Sequence, residues 1–258
     1  MPVRHLMTRF VSSMIQLVSW YIFLFLITFR QLTRERAKVM KIKEKRCLRT
    51  GLLLIALFAV WTVLVKTVDV RPVGPMGTAV GFAGWNSWFH GLTGVHMQLY
   101  VITDWLGLVP VLICIFFGSL GMLQLFRRKD LRKVDVDILL LGIYYGSVIV
   151  CYLLFEMVPV NFRPVLIEDR LEASYPSSTT LLILSVMPAL AEQGNRRLKK
   201  AGQKKILCAA SALFSLFMVA GRLVSGVHWL TDIVGSGFLS GGLFCLYRAG
   251  IQICCKEK

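Results

Sequence analysis

The feature that most constrains this chain is the length of its apolar runs. Residues 51–65 read GLLLIALFAVWTVLV, and residues 138–155 read ILLLGIYYGSVIVCYLLF. A bilayer core about 30 Å thick takes roughly 18–20 apolar residues to cross as a helix. Backbone in hydrocarbon must also satisfy its own hydrogen bonds, which leaves helices as the form such runs adopt. The predicted fold class is therefore all-α, a polytopic transmembrane helical bundle. Candidate spans cover residues 12–29, 51–68, 100–125, 138–158, 176–193, 206–224 and 228–250, six core spans after an extra N-terminal one. A soluble helical bundle is the alternative these run lengths argue against, because it would not need 56% apolar residues in 258.

The charges fall between the runs in alternation. Nine basic residues lie from Arg30 to Arg49; Arg127, Arg128, Lys129, Arg132 and Lys133 follow; then come Arg196, Arg197, Lys199, Lys200, Lys204 and Lys205; the tail ends in Lys256 and Lys258. Basic loops mark the cytoplasmic side. The net charge of +16 is thus a topology signal and an attraction to anionic lipid headgroups. Short basic loops between spans do not suit nucleic acid, and no nucleic-acid partner is expected. Loops 69–99, 159–175 and 225–227 then face outward. The first carries Trp85, Trp88, Phe89, His90 and His96, which suits either a lid at the membrane interface or a simple interfacial anchor.

The seven cysteines lie in spans or near the inner side, so no disulfide framework or metal spacing is indicated. Cys254 and Cys255, just past the last span, are ordinary thiols or acylation sites. With seven spans and an inner carboxyl end, the amino terminus lies outside. Met40, followed by KIKEKR and a span, reads as a second plausible start that would leave six spans.

Polar residues cluster at the outer ends of the last four spans, where ionisable groups are costly and point to function. In GRLVSGVHWLTDIVG, residues 221–235, His228 and Asp232 are four apart. Helical spacing would put them on one face, where a carboxylate fixes the imidazole tautomer and leaves the other nitrogen free. Arg222 adds a permanent cation, which suggests an anion between them. Arg163 is a second, held out of helical geometry by Pro164. In YPSSTT, residues 175–180, Pro176 suits the first turn of a helix. The amides of Ser177, Ser178 and Thr179, with the helix dipole, then offer an anion cradle. Two arginines, a helix N-terminus and a His–Asp pair on one membrane side read as a phosphate site.

This set resembles the type 2 phosphatidic acid phosphatase superfamily, which carries Lys-x6-Arg-Pro, Pro-Ser-Gly-His and Ser-Arg-x5-His-x3-Asp. The third motif matches as Arg222, His228 and Asp232, the first as Arg163-Pro164, and the second as Pro176-Ser177. The resemblance implies a phosphatase-like transmembrane domain over residues 50–250, between residues 1–49 (N-terminal span and basic loop) and a tail at 251–258. It further implies that His228 is the nucleophile of a phosphohistidine intermediate and that Asp232 orients it. Arg163, Arg222, Ser177, Ser178 and Thr179 would bind phosphate, with no metal or cofactor. The implied substrate is a membrane lipid phosphate, in the outer leaflet of a bacterial plasma membrane.

The chain departs from the pattern inside the site. Glu156 stands at the lysine position, Ser178 at the glycine, Gly221 at the serine, and Thr179 at the histidine that protonates the leaving oxygen. Three consequences are open. Another acid replaces that histidine, with Glu156 the first candidate and Glu168, Asp169 and Glu172 behind it. Alternatively, the substrate is a lipid diphosphate, whose leaving phosphate, with a pKa of about 7 against about 15 for an alcohol, needs little help. That option slightly favours polyprenyl diphosphates. The last reading is a non-catalytic lipid-phosphate binder or transporter.

Overall fold

A computed structural model describes residues 42–255. The proposed span at 12–29 and the alternative start at Met40 lie outside them. Eight α-helices follow in order: α1 Ile42–Thr67, α2 Ala83–Thr93, α3 Met97–Leu106, α4 Leu108–Arg128, α5 Val136–Met157, α6 Ser178–Arg197, α7 Ala201–Val224 and α8 Leu230–Cys254. No strand is formed among the described residues beyond isolated bridges. The polytopic helical reading holds. Five segments have the length and apolarity to cross a membrane: 45–67, 97–128, 136–157, 201–224 and 230–254.

The run expected at 176–193 behaves differently. Its helix, α6, begins at Ser178 and continues to Arg197, but it is not among the five apolar crossings. The reason is its place in the bundle. It packs against α4, α5, α7 and α8, and Thr180, Ser185, Gln193 and Gly194 are buried on it. A helix that faces other helices needs partners for its polar groups, not lipid-compatible composition. Tyr144 supplies one, donating to the Ser185 carbonyl at 3.0 Å.

The last helix is the axis of the assembly, packing against α1, α5, α6 and α2. Its seam with α1 is closed by a glycine: a β-carbon on Gly242 would fall 2.7 Å from the Ile55 side chain. Small residues at such seams let backbones approach. The core between these helices includes Phe58, Leu141, Val148, Leu181, Val186 and Leu239. Tyr144 and Tyr247 stack within it at 4.7 Å.

Two segments between the helices, both expected to face outward, are more ordered than plain loops. Residues 161–174 form a hairpin, with bridges Phe162–Ala173 and Ile167–Arg170. Its two-residue turn is Glu168-Asp169, with φ of 49° and 58°, the left-handed pair that matches the twist of a tight hairpin. The segment after α1 contains α2, pinned to the start of α8. Asn86 donates to the Gly81 carbonyl at 2.8 Å and to the Thr231 hydroxyl at 3.0 Å. Trp85 and Trp88 remain exposed, as interfacial aromatics do.

Candidate active site

The site lies where the hairpin, the start of α6, the α7–α8 connection and the end of α3 meet. His228 is not on a helix. It precedes Trp229, the N-cap of α8, so the expected one-face helical pairing with Asp232 is corrected. The two still meet, because Asp232 sits in the first turn and folds back to the cap. Its Oδ2 accepts the Trp229 backbone N–H at 2.9 Å and lies 3.6 Å from His228 Nδ1. A carboxylate at this position caps the helix and faces the imidazole at once. Ser174 and Asn161 also lie against Asp232.

The other imidazole nitrogen faces a cation. Arg222 Nη2 is 3.4 Å from His228 Nε2. A guanidinium only donates, so Nε2 is the acceptor and a neutral ring carries its proton on Nδ1, toward Asp232. His228 lies in the connection between α7 and α8, outside both helices. Its burial, with Arg163 and Arg222 nearby, holds its pKa well below the ordinary histidine value; the Ser174 backbone pulls weakly the other way. The result is a neutral imidazole with a lone pair on Nε2.

Both arginines are buried, Arg222 at 1% exposure and Arg163 at 8%. Each is met by one long ion pair: Arg163 Nη2 to Glu172 at 3.2 Å and Arg222 Nη1 to Asp104 at 3.5 Å. The Tyr100 ring packs under both, 4.8 Å from the Arg222 guanidinium and 5.7 Å from that of Arg163. Even so, Nε and Nη1 of each arginine have no hydrogen bond among the described residues. Buried, unsatisfied donors of this kind are costly, and two such forks suit a tetrahedral anion.

The Pro-Ser-Ser-Thr segment is in place but starts later than expected. Pro176 stands before the N-cap, after a cis Tyr175–Pro176 bond. Ser177 is the cap and α6 begins at Ser178. Pro176 therefore does not occupy the first helical turn. Ser177 is wholly buried; its hydroxyl donates to the Thr180 hydroxyl at 3.0 Å and its amide approaches the Asp232 carbonyl at 3.4 Å. The amides of Ser178 and Thr179 are first-turn donors without an intrahelical acceptor. Glu156 is exposed near the end of α5 and lines a small cleft with Tyr152, Phe155, Ser174, Pro176 and Ser178. Among the described residues no hydrogen bond or ion pair joins it to His228 or to either arginine. Glu168 and Asp169 are exposed at the hairpin turn, while Glu172 reaches Arg163.

Tyr100 and Asp104 were not among the sequence candidates. The structure brings them in through Gly221. A β-carbon there would sit 2.6 Å from the Thr103 methyl group, so α3 presses on α7 at the turn that carries Arg222. Glycine in place of serine at 221 is therefore a packing feature that sets Tyr100 and Asp104 on the arginine. The available signal was a lone aspartate inside the apolar stretch 97–128, which membrane energetics marks by itself.

Residues 138–252 match the family model of the PAP2 superfamily. The fold is similar to the crystal structure of a transmembrane PAP2 type phosphatidylglycerolphosphate phosphatase from Bacillus subtilis, with a TM-score of 0.59 at 16% sequence identity. That match covers 81% of this chain and 99% of the other. No curated protein matches the chain. The matched segment contains Arg163, the start of α6, Arg222, His228 and Asp232, so the converging residues all fall within the stretch that is similar to the PAP2 superfamily model, in a chain that is a multi-pass membrane protein.

Proposed function

We propose that this protein is a lipid phosphatase acting at the outer face of the membrane through a phosphohistidine intermediate. The observation that carries the reading is a pair of buried guanidinium groups, each with donors left over, beside a neutral imidazole whose acceptor nitrogen faces Arg222. A phosphate held by Arg163, Arg222 and the amides of Ser178 and Thr179 would present its phosphorus to His228 Nε2. Nucleophilic attack forms the P–N bond and breaks the bond to the leaving oxygen. Asp232 stabilises the imidazolium that results. Water then cleaves the P–N bond and frees phosphate. Fixed charges supply the stabilisation, so the mechanism calls on positioning and electrostatics.

The basic clusters at Arg127–Lys133 and Arg196–Lys205 sit at the opposite ends of the helices from the site, which supports an outward-facing site by charge asymmetry. The expected membrane is a bacterial plasma membrane. Threonine at 179 supports a preference for diphosphates, polyprenyl diphosphate among them, because their leaving group needs less protonation.

The deciding experiment measures phosphate release by the purified protein from lipid monophosphates and diphosphates, with His228→Ala alongside. Release from at least one class that is lost in the variant, which still elutes as a folded species in detergent, is the expected result. Release that survives the substitution removes His228 as the nucleophile. Threonine at 179 also favours a second reading, a binder or transporter, which gains if lipid phosphate binds and no release occurs.

A further inference from the structure

We propose that Asp104 passes a proton to the leaving oxygen; this rests on the phosphatase reading above. A site with a histidine nucleophile needs a second proton-carrying group near the bond that breaks, and threonine at 179 cannot serve. Six carboxylates come near this end of the bundle outside the Asp232 pair, and Asp69 is taken up by Arg71 and the Gly84 amide. Glu168 and Asp169 are exposed at the hairpin turn. Glu172 holds Arg163 from the hairpin. Glu156 lines a cleft with Ser174 and Ser178 and bonds to neither arginine. Asp104 alone shares a guanidinium with the nucleophile: Arg222 places Nη2 3.4 Å from His228 Nε2 and Nη1 3.5 Å from Asp104 Oδ1. A phosphate bonded to that fork therefore has the imidazole beside one nitrogen and this carboxyl beside the other, so nucleophile and proton carrier are held within reach of the same group.

Two further observations fit. Asp104 is 58% exposed while Arg222 is 1% exposed, so the carboxyl stands at the mouth of the site and can reach a group that departs outward. The junction of α3 and α4 also covers Thr179. A β-carbon on Gly107 would lie 3.5 Å from the Thr179 methyl group and 2.8 Å from the Asp104 carbonyl oxygen. The turn that carries Asp104 thus packs over the position where the superfamily pattern has its acid.

The chemistry balances. A phosphate monoester enters with one proton near neutral pH, since its second pKa is about 6. Asp104 takes that proton from the phosphate. As His228 Nε2 bonds to phosphorus, the P–O bond breaks, its electron pair goes to the leaving oxygen, and the Asp104 proton follows. In the second half, Asp104 accepts a proton from the water that attacks the phosphohistidine. The P–N electrons return to Nε2, and the proton on Asp104 departs with the phosphate, which restores the carboxylate.

The test compares farnesyl phosphate with farnesyl diphosphate, two substrates with one tail and different leaving groups. The full-length protein in detergent is used as wild type, Asp104→Asn, Asp104→Glu and Glu156→Gln. Asp104→Asn should lower kcat on the monophosphate by about 10²–10⁴-fold and on the diphosphate by less than about tenfold, since an acid matters little for a good leaving group. Asp104→Glu should recover most of the monophosphate rate. An equal loss on both substrates would mean that Asp104 only positions Arg222, and it overturns the proposal. So does a selective monophosphate loss in Glu156→Gln instead, or a wild type that cleaves the diphosphate alone. If wild type releases phosphate from neither in a manner dependent on His228, the phosphatase reading itself fails, which is a separate outcome.

Discussion

The two ends of this bundle both hold charged groups, and they treat them in opposite ways. At the end away from the site, Arg197 meets Asp137 at 2.8 Å and also bonds Gln193; Arg196 approaches the same carboxylate at 3.9 Å. Gln193 donates to Tyr247 at 2.7 Å, and Arg128 pairs with Asp135 at 2.8 Å. At the end that holds the site, Arg163 and Arg222 are more deeply buried, yet each meets a single long ion pair to a carboxylate and keeps two donor nitrogens without a hydrogen bond. A buried charge left short of partners is destabilising unless something else completes it. The arrangement around Asp137 closes on itself and ties helices together. The one around Arg222 has donors to spare, which the proposed phosphate would take up.

The sharpest way to break that contrast is to remove one arginine from each end. Arg222→Gln should lower kcat by about 10²–10³-fold, the range for losing a preorganised donor, while the folded protein survives. Arg197→Gln should leave turnover within about twofold. It should lower stability by about 1 kcal/mol, as expected for a part-exposed pair, seen as a drop of about 2–4 °C in Tm. If both variants lose turnover equally, or Arg197→Gln alone does, the assignment of roles to the two ends is wrong.

A pH profile sharpens the same comparison. Burial first, then Arg163 and Arg222, push the His228 imidazole down; Asp232 faces it from the other side. In the proposed mechanism the nucleophile is the neutral ring, and protonation removes it. A lowered pKa therefore moves the loss of activity to more acidic pH, and the acid limb should fall below the ordinary histidine value of about 6.5. In Arg222→Gln one positive charge is gone, so the limb of the residual activity should move up. An acid limb at or above about 6.5 in wild type, with no movement in the variant, would show that His228 does not carry the profile.

The smallest effect expected is in the hairpin that presents Arg163. Glu168 holds φ of 49° at the first turn position, where asparagine or glycine is favoured. Glu168→Asn should raise Tm by about 1–2 °C, equivalent to about 0.5 kcal/mol, with kcat unchanged. A fall in kcat would mean that the exposed turn takes part in the site after all.

Much of this was readable from residue order. The apolar runs predict the helices because hydrocarbon leaves the backbone no other solution. Arg163, Arg222, His228 and Asp232 declare themselves because charge at membrane depth needs a reason. What spacing misjudged is local. Four residues from His228 to Asp232 fit a helix, but the helix starts at Leu230 and the contact is made through a cap. Pro176 fits a first turn, but Ser177 caps the helix instead. Tyr100 and Asp104 were hidden for a different reason. Nothing in their own segment links them to Arg222, which lies more than 100 positions later; the link is the tertiary approach of α3 to α7 that a missing side chain at 221 allows.

That approach also bears on how a two-part molecule, headgroup and tail, can be accommodated. Where the Thr103 methyl group meets Gly221 there is no width for even one added carbon. An acyl or prenyl chain attached to a phosphate on Arg222 cannot hang between α3 and α7 at that level. For the proposed lipid substrate, the route into the bilayer runs along a different seam, because the wall formed at Gly221 closes this one.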